Sequence, residues 1–116
     1  MLAVLLNVSC AKVSGIPDVN AVLTFKYNDN NITVTLNEEE TKTVKDIFSN
    51  RRLYKDNPSC GFTEDISVRF GETVFCIACD NCPIVKYQDR YFSISDAERE
   101  TINLIFKNHG GFFPCI

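Results

Sequence analysis

The chain has 116 residues, enough for one domain with a single core and not for two. Hydrophobic residues make up 45% and charged residues 23%, the balance of a globular chain and not of a disordered one. The net charge is −3 and the basic residues are scattered, with only Arg51, Arg52 and Lys55 close together, so there is no electrostatic footprint for nucleic acid.

The chain opens on the apolar run Met1-Leu2-Ala3-Val4-Leu5-Leu6-Asn7-Val8-Ser9-Cys10-Ala11-Lys12. It is too short to span a bilayer. Residues 1–12 read as the end of a signal-peptide apolar region, followed by a single domain over 13–116. Val8-Ser9-Cys10 resembles the end of a bacterial lipoprotein signal, where a small residue precedes a lipid-modified cysteine, which makes Cys10 the lipidation candidate. Asn7 stands where that pattern has an aliphatic residue, and no Lys or Arg precedes the run. A first strand over Leu2 to Val8, with Cys10 in the core, is the structural reading of the same residues.

Two helices follow from their start signals. Asn37-Glu38-Glu39-Glu40 and Ser95-Asp96-Ala97-Glu98 each place a capping residue three positions before a Glu. The acidic side chains sit where the helix dipole favours them. Val44, Ile47 and Phe48 form an apolar stripe at helical spacing in the first, and Ile102, Ile105 and Phe106 in the second. Asn50 and Asn108-His109-Gly110 are the stops.

The two segments match at a constant offset. Glu40, Thr43, Ile47, Phe48 and Asn50 recur as Glu98, Thr101, Ile105, Phe106 and Asn108. Upstream, Lys26-Tyr27-Asn28-Asp29 aligns with Lys86-Tyr87-Gln88-Asp89, each followed by an alternating strand. The pattern predicts an internal duplication of a hairpin followed by a helix. Between the copies, Ile66 to Phe70 and Thr73 to Ala78 form a third hairpin around Gly71-Glu72. That turn sets Phe70 against Thr73, Val68 against Phe75 and Ile66 against Ile77 on one face. Arg69, Val74, Ser67 and Cys76 share the other. The expected fold is α+β: an antiparallel sheet of hairpins with two helices packed on one face.

Five of the six cysteines lie in the second half. Extending the hairpin register brings Cys82 almost opposite Cys60, a reasonable disulfide near the open end. Cys115 then anchors the C-terminal tail to Cys79 or Cys76, with Cys79 favoured because it falls on the core face. The metal alternative uses Cys76, Cys79 and Cys82. These form C-x2-C-x2-C before Pro83, which resembles a ferredoxin cluster motif but lacks its fourth cysteine before the proline. Strand residues three apart point to opposite faces, which disfavours common ligation. Cys79-Asp80-Asn81-Cys82 is also a CxxC, but Asp80 raises thiol pKa values rather than lowering them.

The single histidine, His109, falls at a helix C-terminus, where a cationic ring is favoured. No phosphate-binding glycine loop, HExxH or nucleophile elbow is present, and an enzyme is not expected. Asn31-Ile32-Thr33 and Asn7-Val8-Ser9 are formal glycosylation sequons. The expected function is that of a small exported, disulfide-stapled binding domain of the cell envelope or extracellular space, with no cofactor and no nucleic acid. Its partner is an unidentified protein or small molecule, met on the open sheet face at Arg69, Ser67 and Val74. The alternatives are an intracellular cysteine-cluster protein binding zinc or an iron–sulfur centre, and a small secreted enzyme inhibitor.

Overall fold

The computed structural model describes residues 11–56, 58–80, 82–111 and 113. Three hairpins build the sheet: β1 (Val22–Tyr27) with β2 (Asn30–Thr35), β3 (Ser67–Phe70) with β4 (Thr73–Ile77), and β5 (Ile84–Tyr87) with β6 (Arg90–Ser93). Helix α1 (Glu38–Phe48) follows β2, and α2 (Asp96–Asn108) follows β6. All six strands form one antiparallel sheet in the order β2-β1-β3-β4-β5-β6. The fold is the α+β arrangement that the pattern predicts. No helix among the described residues is long and apolar enough to cross a membrane.

Both helices start as their sequences dictate. Glu40 N–H donates to the Asn37 side chain at 2.7 Å and Asn37 N–H to Glu40 at 3.1 Å. Ser95 and Glu98 repeat the exchange at 3.0 and 2.8 Å. Each reciprocal pair satisfies helix-end donors that have no partner inside the helix. The β1–β2 turn has positive φ at both Asn28 and Asp29, the conformation that matches strand twist in a two-residue hairpin.

Alternation decides what the helices cover. Leu23, Phe25, Val68, Phe70, Phe75, Ile77, Val85 and Phe92 point to one face and are buried. Phe48 of α1 stacks on Phe75 at 4.4 Å between centroids and meets Phe92 edge-on. Phe106 of α2 lies 6.3 Å from Phe25. Both helices therefore sit on the same side of the sheet. After α2, the chain turns at Gly111, where an added Cβ would lie 2.6 Å from the Phe25 ring. That close approach explains a glycine there, since its φ needs none.

The two hairpin–helix units occupy opposite ends of the sheet. A pseudo-two-fold axis through the central β3–β4 hairpin exchanges β1 with β5, β2 with β6 and α1 with α2. Residues 1–10, including Cys10 and the Leu2–Val8 strand reading, lie outside the described residues. Ala11 and Lys12 make backbone contacts with the segment that follows α1. Leu53 N–H donates to the Ala11 carbonyl at 2.9 Å, and Lys12 bridges Arg52.

Candidate ligand cleft

The outer face of the sheet carries the row Thr24, Ser67, Cys76, Lys86 and Tyr91, one residue from each of β1, β3, β4, β5 and β6. The connection from α1 to β3 runs back over the β6 end of this row. Tyr54 and Tyr91 exchange backbone hydrogen bonds at 3.0 and 2.9 Å, which covers the β6 edge. The Phe62 ring then lies 5.5 Å from that of Tyr91.

The connection is pinned at four further points. Cys60 and Cys82 are joined by a disulfide, with Cα atoms 6.1 Å apart. Cys79 N–H donates to the Gly61 carbonyl at 2.7 Å. Gly61 N–H donates to the Asp80 carboxylate at 3.2 Å. The Ser67 hydroxyl donates to the Glu64 carbonyl at 2.9 Å. Ser67 is consequently only 4% exposed, which corrects its assignment to an open partner surface. Arg69 remains exposed.

Between this clamped segment and the sheet lies a cleft of about 330 Å³. Phe62, Thr63 and Glu64 form one wall, Val74, Cys76 and Lys86 the floor, and Glu72 and Gln88 belong to its polar lining. Such a volume is at the lower end of small-molecule sites. Glu64, Glu72 and Lys86 make no ion pair among the described residues. A depression of about 560 Å³ beside α1 differs in this respect, since its Lys42 pairs with Asp46 and its Lys45 with Asp18.

Cys76 is the free thiol among the described residues and is 8% exposed. Burial pushes its pKa up, and the Glu64 carboxylate adds to this, with Lys86 opposing. The thiol is thus kept protonated and poorly nucleophilic. Chemically, the cleft offers two carboxylates, an ammonium group, hydroxyls and an aromatic wall around a protonated thiol.

The cysteines divide as follows. Cys60 and Cys82 pair with each other, as their register predicts. Cys79 is also disulfide-bonded and packs against the core. Cys115 lies outside the described residues, as does Cys10. Of the metal-alternative set, Cys82 is taken by Cys60, Cys79 is oxidised and Cys76 stands apart as a thiol. The donor atoms that do cluster, within 4.8 Å, are those of Cys60, Asp80 and Cys82. Asp80 is there for a structural reason, because its carboxylate accepts from Gly61 and Cys82 N–H groups. His109 Nε2 lies 3.0 Å from Glu40 Oε2, so the ring ties the helices together.

Sequence reasoning passed over Phe62, Glu64 and Lys86 as cleft residues. Alternation from buried Val85 does put Lys86 on the outer face. The Cys60–Cys82 pairing signals that the preceding segment folds back. Compared with known proteins, the chain matches no family model, no curated protein and no solved structure.

Proposed function

We propose that the protein is a small exported binding domain, and that its cleft takes a small zwitterionic solute such as a free amino acid or dipeptide. The observation that carries this reading is the disulfide-clamped segment that places Glu64 opposite the sheet residues Cys76 and Lys86. An ammonium group suits Glu64 and Glu72, a carboxylate suits Lys86, and Phe62 supplies apolar contact. The protonated thiol and the engagement of His109 with Glu40 favour binding over catalysis.

Export is supported by the disulfide in so small a domain and by the apolar run ending at Cys10. A lipid on Cys10 would attach next to Ala11, itself bonded to the domain, and so hold the protein close to the membrane surface. Arg99 favours Cys115 as the partner of Cys79. Its guanidinium stacks over Phe113 at 4.7 Å and donates to the Asp80 carbonyl at 2.5 Å, which brings the chain two residues before Cys115 beside Cys79.

Two experiments test the reading. Native-source protein is alkylated before and after reduction and its intact mass taken. Cys60, Cys79 and Cys82 should resist until reduced, and peptide mapping should join Cys79 to Cys115. Alkylation of all the cysteines without reduction would remove the export reading. Separately, isotope-labelled oxidised protein is titrated with free amino acids and dipeptides while amide resonances are followed. Saturable shifts at Glu64, Val74, Cys76 and Lys86, lost in Lys86→Ala, are expected. No saturable shift at concentrations well above millimolar would remove the ligand assignment.

A further inference from the structure

We infer that two copies of this chain associate through β2, joining their sheets edge to edge about a two-fold axis at Thr33. The inference is independent of the ligand proposed for the cleft.

The two ends of the sheet differ. β6 is bridged at Tyr91 by the Tyr54 backbone, whereas β2, among the described residues, is a terminal strand with β1 on one side. Its sequence, Asn30 to Thr35, contains no charge, no proline and no lysine, and its register with β1 runs without a bulge. Those are the devices by which edge strands avoid pairing with another chain. Ile32, Thr33, Val34 and Thr35 are β-branched and suit a paired strand.

Hydrogen-bond parity identifies the open groups. Leu36 N–H donates to the Ala21 carbonyl at 2.8 Å, and a two-residue turn closes on Tyr27 and Asn30. Alternation therefore turns the backbone of Asn30, Ile32 and Val34 toward β1. The N–H and C=O groups of Asn31, Thr33 and Thr35 point away from it, and these residues are exposed.

A second copy fits this edge because the strand is self-complementary. With the axis at Thr33, the residue faces itself, Asn31 faces Thr35 and Ile32 faces Val34, each in both directions. All three outward residues then exchange both backbone hydrogen bonds with the other copy. Ile32 and Val34, half-buried against the core, gain β-branched neighbours on the inner face. Beyond the strand, Asp29 falls opposite Asn37 and Glu38 opposite Asn28, so no like charges meet. The interface is isologous and closes as a dimer.

Parity also supplies the test. Thr33→Pro removes an N–H that makes no bond to β1, so the monomer should tolerate it. Thr33→Lys places two ammonium groups face to face on the axis. Sedimentation equilibrium of unmodified protein from about 10 µM to 1 mM, the range for a modest interface, should show a monomer–dimer equilibrium. Both variants should be monomeric, with circular dichroism and thermal midpoint close to those of the parent. If Thr33→Pro fails to fold, Thr33→Lys decides alone. A parent protein that stays monomeric throughout, or a dimer that survives the folded variants, overturns the inference.

Discussion

Arg51 and His109 hold the two helices together by the same contact made in opposite directions. Arg51, just past the end of α1, reaches the third-position Glu98 of α2. His109, just past the end of α2, reaches the third-position Glu40 of α1 at 3.0 Å. Each Glu also accepts the backbone N–H of its own capping residue. Each helix start is therefore locked to the other helix end, as the pseudo-two-fold arrangement of the fold requires. A favourable acid at each N-terminus thereby gains a basic partner from the neighbouring C-terminus.

Glu98 makes this arrangement pH-dependent. Burial alone would raise its pKa, but the Ser95 N–H and the Arg51 guanidinium outweigh it and lower the value. A carboxyl with a lowered pKa contributes stability above the ordinary glutamate range and loses it as pH falls through the folded value. Glu98→Gln keeps an oxygen for the cap and removes the charge. Because the side chain is 31% exposed, solvent screening limits the expected loss at pH 7 to about 0.5–1 kcal/mol. Urea melts should show that difference at pH 7 and a much smaller one below the glutamate range. An equal deficit at both pH values would mean that the amide harms packing rather than charge.

The equivalence of Arg51 and His109 escapes sequence matching because the two residues differ in type, although their partners Glu40 and Glu98 match. What could be read was local: the capping boxes at Asn37 and Ser95, the pairing of Val68 with Phe75 and the apposition of Cys60 and Cys82. Each depends on residues a few positions apart, or on one turn whose length sets a register. The cleft depends on where the segment from Arg51 to Ile66 lies. Ser67 shows the consequence, since alternation places it correctly on the outer face but carries no sign of the Glu64 carbonyl that covers it.

The Cys60–Cys82 link should matter more to the cleft than to the sheet. It closes a separation of 22 residues, and in the chain-entropy model its loss costs about 3 kcal/mol. Cys60→Ser with Cys82→Ser should lower the denaturation midpoint accordingly while leaving the strand signal in circular dichroism intact. The sheet core of Phe70, Phe75 and Phe92 does not use the bond. Hydrogen exchange should rise first at Gly61 and Cys79, whose backbone contacts the link supports. Uniform acceleration across β3 and β4 would show instead that the sheet itself depends on the link.

Cys76 should behave as a protected thiol. Its 8% exposure and raised pKa both suppress the thiolate that alkylating reagents require. In unreduced native protein at neutral pH, the peptide carrying Cys76 should label slowly with iodoacetamide, and addition of denaturant should release it. Lys86→Ala removes the group that opposes the raised pKa and should slow labelling further. Rapid labelling of the native protein would place the thiol in solvent and remove it from the cleft floor.

Gly111 tests the packing of the chain as it leaves α2. A Cβ at this position would lie 2.6, 2.8 and 3.0 Å from three atoms of the Phe25 ring, closer than packed atoms tolerate. Phe25 is 2% exposed and packs on Phe106, so the ring cannot move away without disturbing its neighbours. Gly111→Ala should therefore destabilise the fold by about 1–3 kcal/mol, the usual cost of forcing extra volume into a filled core. Gly110 is the control: its φ of +98° strains any side chain, but no atom lies within 4 Å of an added Cβ. The two alanine variants should separate when Phe25 is shortened to leucine. That change should relieve part of the Gly111→Ala penalty, measured by denaturant titration of the double variant, and leave the Gly110→Ala penalty unchanged. Additive effects of Phe25→Leu and Gly111→Ala would show that the glycine is required for backbone reasons alone.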